Sequence, residues 1–69
     1  MSPGEQLVWA ASYAHFVTAG SKPADAARHA TAYAMSLRTI DEAEVRERSG
    51  LHGGAEATIA AVEQMRRPA

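Results

Sequence analysis

Trp9, Tyr13 and Phe16 recur at a four-then-three spacing, which sets three rings on one stripe of a helix. Rings in that arrangement serve one of two ends. They supply the burial of a small core, or they anchor a protein-binding surface. Tyr33 and Leu37 are one turn apart on a second apolar segment, so Trp9, Tyr13, Phe16, Tyr33 and Leu37 form the candidate protein-interaction set. A second set is basic and polar. Lys22, Arg28, His29, Thr31 and Arg38 fall on one stretch and offer the groups that contact phosphates and base edges in DNA. Asp25 and His29 are four residues apart, a spacing that lets a carboxylate orient an imidazole. A metal needs three or four ligands, and His15 and His52 sit on other segments, so neither a metal nor a cofactor is expected. The loop Gly50 to Gly54 runs into a helix start, a generic anion site, but lacks the Gly-Lys-Ser/Thr ending of a phosphate loop. Ser, His and Asp occur with no local signature around them. No enzymatic activity is expected.

These side chains must be held by helices. Ser2-Pro3-Gly4-Glu5 is a capping box with proline at the first helical position, so a helix is expected over about 3–19. Gly20 stops it and Pro23 starts the next, so the chain folds back into a hairpin. Leu7, Ala10, Ala11, Ala14 and Val17 widen the ring stripe on the first helix, with Glu5, Ser12 and His15 opposite. That apolar arc exceeds what one neighbouring helix can cover. The second helix, about 23–38, carries Ala26, Ala30, Tyr33, Leu37 and Ile40 at 4-3-4-3 spacing, and its small residues allow close approach.

The stripe fails at Glu44, and Thr39-Ile40-Asp41-Glu42 is a second capping-box pattern. A break near Thr39 and a short helix over about 40–48 are expected. Glu42 with Arg46, and Glu44 with Arg48, are i,i+4 pairs in the favourable order. Three glycines between 50 and 54 require a loop. A last helix over about 55–67 buries Ala55, Thr58, Ile59, Val62 and Met65, turns Glu56, Glu63, Gln64 and Arg67 to water, and ends at Pro68. The expected architecture is all-α: a helical hairpin plus one or two further helices, in a single domain over 1–69.

Sixty-nine residues bury only roughly 60% of the unfolded surface, and no cysteine is present to cross-link the chain. Helix packing, self-association or a partner must supply the rest. The net charge of -1 creates no general attraction to nucleic acid or to an anionic membrane. No apolar run has the ~20 residues of a membrane span, and the N-terminus lacks a signal-peptide pattern. A cytoplasmic protein is expected, acting as a homo-oligomer or on a protein partner.

Two resemblances bear on function. Ser12 to Thr31 resembles a helix-turn-helix, with Ala19-Gly20-Ser21 matching its small-glycine-polar turn. That resemblance implies a small DNA-binding transcriptional regulator. Phe16, Ala26 and Asp25 depart from the motif, which wants a small residue, a larger aliphatic and no acid at these places. More broadly, an aromatic and alanine helix followed by Gly-Ser-Lys-Pro and a second alanine helix resembles many short helical proteins of bacteriophages and GC-rich bacteria. That likeness implies an accessory or regulatory role through binding another protein, which is the function expected first.

Overall fold

Four helices make up the computed structural model, which describes residues 1–37, 39–50 and 53–66: α1 (Pro3–Thr18), α2 (Pro23–Met35), α3 (Glu42–Ser49) and α4 (Ala55–Arg66). The fold is all-α, as the sequence leads one to expect. None of these helices is long and apolar enough to cross a membrane.

The first helix begins and ends by local chemistry. The Glu5 amide donates to the Ser2 hydroxyl at 3.2 Å, and the Ser2 amide donates back to Glu5 Oε1 at 3.1 Å. This reciprocal pair satisfies two of the amides a helix start leaves open. At the far end, the Ser21 amide donates to the Phe16 carbonyl at 2.9 Å and the Gly20 amide to the Val17 carbonyl at 3.0 Å. The pair forms a Schellman closure, which needs a left-handed residue, and Gly20 supplies it at φ 103°. Pro23 then opens α2, whose N-cap Lys22 makes no side-chain cap bond.

The second helix stops at Met35, three residues short of the expected end. The chain tightens there: the Leu37 amide donates to the Ala34 carbonyl and the Ile40 amide to the Leu37 carbonyl, both at 3.0 Å. The break falls where expected, but its cap does not. Asp41, rather than Thr39, holds the start of α3, accepting from the Ala43 amide at 3.0 Å. Aspartate is the stronger N-cap of the two, and its choice moves the start of α3 to Glu42. The two expected pairs on α3 are present, Arg46 with Glu42 and Arg48 with Glu44, each at 2.9 Å. The expected end of α4 at Arg67 and Pro68 lies outside the described residues.

All three other helices pack on α1, and α3 also packs on α4. Val8, Ala34, Leu37, Val45 and Val62 form the core cluster. On α1 the dry face is Gly4, Val8, Ala11 and Ser12; on α2 it is Ala26, Ala30 and Ala34. Small side chains on both helices permit close approach. At Gly4 the approach is extreme. A Cβ there would lie 2.2 Å from the Ile40 carbonyl oxygen, so the start of α1 is pressed against the turn between α2 and α3.

This arrangement turns α1 away from its expected orientation. Ser12, expected outside, is 1% exposed, whereas Val17 is 41% exposed and Ala10 and Ala14 also face out. Of the sector expected beside the rings, Ala10, Ala14 and Val17 therefore lie on the outer surface, while Ala11 is buried and Leu7 packs against the core. Close approach at the Gly4 end leaves a seam that Ser12 fits and a ring does not.

Candidate functional site

The rings stand along the flank of α1, half-buried, between the sealed seam and the outer surface. Trp9 and Tyr13 lie one turn apart and stack, with centroids 5.2 Å apart and planes within 8°. The indole N–H of Trp9 donates to the Thr31 hydroxyl at 3.0 Å, and that hydroxyl donates to the Ala27 carbonyl at 2.8 Å. Trp9 is thereby fixed to α2 at its polar edge, half-buried. Farther along, Phe16 sits between two imidazoles: His15 meets it edge-on at 5.3 Å and His29 tilts over it at 5.2 Å. His15 Nδ1 also lies 2.5 Å from Glu56 Oε1, tying the end of α1 to the start of α4.

Tyr33 occupies a different setting. Its hydroxyl donates to Glu63, and the Arg66 guanidinium lies over its ring at 5.6 Å. This clasp joins α2 to α4. Burial, followed by the neighbouring Glu63 carboxylate, pushes the Tyr33 phenol up from 10.0 to about 12. Glu63, expected to face water, is half-buried and bonded to both Tyr33 and Arg66.

The expected interaction set is thus divided. Trp9 and Tyr13 come together, Phe16 continues their flank, and Tyr33 packs against the core beside α4. Leu37 does not share that surface. It is 5% exposed in the core cluster, because the turn after α2 folds it under the hairpin. Of the apolar arc that the spacing makes too wide for one neighbour, Ala10, Ala14 and Val17 are the part left exposed, as a strip that extends the ring flank. From Gln6 to Ser21 the chain holds no Asp, Glu, Lys or Arg, and that charge-free run is the sequence signal for the strip.

The residues of the basic set stand in different settings. Thr31 is spent on Trp9 and Ala27, and His29 packs on Phe16. Arg28 pairs with Asp25, so the expected Asp25–His29 pair is replaced by an Asp25–Arg28 pair one residue closer. Lys22 is exposed at the hinge. Arg38, like His52 in the glycine loop, lies outside the described residues. Among the described residues no three His, Asp or Glu side chains converge as metal ligands.

One buried polar atom has no hydrogen-bond partner among the described residues, the Ser12 hydroxyl in the seam between the helices. Its position on the dry face of α1 makes it a packing feature.

Comparison of the chain with known protein families, curated proteins and solved structures finds no match.

Proposed function

We propose that the chain is a non-catalytic helical interaction module that associates with protein through the flank and outer face of α1. The contact surface comprises Trp9, Tyr13 and Phe16, with Ala10, Ala14 and Val17 beside them and Tyr33 at its margin. The module acts as a homo-oligomer in an accessory or regulatory role, in the cytoplasm.

One observation carries this reading. The largest fully buried side chains among the described residues are Val8, Val45, Val62 and Ser12, while Trp9, Tyr13, Phe16 and Tyr33 remain half-buried. Aromatic side chains normally provide the bulk of apolar burial in so small a domain. Here they stand at the edge of a core made of alanine, valine and Leu37. Association would complete their burial, and large, rigid rings are the residues that dominate such contacts.

Light scattering, run with and without duplex DNA at low salt, tests the proposal. The expected result is a solution mass above 7.3 kDa that duplex DNA does not change. Ala14→Glu, at an exposed position, is expected to restore the single-chain mass without loss of helix. A parent chain that stays at 7.3 kDa and gains mass only with DNA, in a salt-sensitive manner, overturns it in favour of the helix-turn-helix alternative.

A further inference from the structure

We draw no further inference here: the strongest candidate, the cleft of about 250 Å³ where Leu7 of α1 meets Arg46 and Ser49 of α3 and Thr58 of α4, offers an anion only the N-terminus of α4 and an arginine already paired with Glu42, and no second feature of the cleft points to a ligand.

Discussion

The two sides of α1 are held to different standards of fit. Gly4, Val8, Ala11 and Ser12 form a dry seam, and at Gly4 a single added carbon would collide with backbone. Trp9, Tyr13 and Phe16, a quarter-turn away, are only half-buried. Small residues let helices close until nothing fits between them, and the larger groups are then left at the margin. The rings retain surface that a partner can take.

The sharpest way to break that contrast is Gly4→Ala. The new Cβ lies 2.2 Å from the Ile40 carbonyl oxygen, and backbone on both sides leaves nothing flexible to yield. The expected loss is about 3 kcal/mol, at the upper end for overpacking, and a fall of more than ~10 °C in Tm for a domain of this size. Gly54→Ala meets nothing within 4 Å and is expected to change stability by less than about 0.5 kcal/mol. Thermal melts of the two variants by circular dichroism decide it. Equal, small shifts would mean that the seam is not tight.

Ser12→Ala probes the same seam with the opposite sign. A hydroxyl buried without a partner loses its hydration for no return, so its removal is expected to raise stability by up to about 1 kcal/mol. Chemical denaturation reads this as a higher midpoint at an unchanged slope. A variant less stable than the parent shows that the hydroxyl has a partner after all.

On the ring side, Thr31→Val removes the acceptor of the Trp9 indole without changing shape much. Because Trp9 is only half-buried, water can replace the lost bond, and a cost of only about 0.5–1 kcal/mol is expected in the same denaturation assay. A loss as large as that of Gly4→Ala would place Trp9 in the sealed region.

The smallest effect is a pH dependence at Tyr33. Its phenol is raised from 10.0 to about 12 in the folded chain, so the neutral form is favoured by folding. The resulting stability is fully present below pH 10 and is lost as pH climbs towards 12. Melts of the parent and Tyr33→Phe should therefore differ most below pH 10 and converge towards pH 12. A constant difference over that window would remove the clasp from the account.

How much of this was legible in the residues depends on how far each signal reaches. The capping box at Ser2, the Gly20 closure and the i,i+4 pairs of α3 are complete within six residues, and each appears where its pattern places it. The break after α2 was visible from the failure of the apolar stripe. The choice of Asp41 over Thr39 as cap depended on where the turn delivered the chain. The orientation of α1 was not legible. Apolar residues surround most of that helix, so its inner side is chosen by contacts with α2 and with the Ile40 carbonyl, far along the chain. The same holds for the candidate surface. Its rings were found by spacing, but the role of Thr31 as the anchor of Trp9, and the burial of Leu37, follow from how the hairpin closes.

Trp9 is the single tryptophan of the chain, which makes its exposure directly readable. Acrylamide quenching of its fluorescence, followed from micromolar to millimolar protein, should weaken as association covers the ring, and Ala14→Glu should abolish that change. Quenching that stays constant over the whole range, at a solution mass of 7.3 kDa throughout, would contradict the claim that this flank is a contact surface between copies.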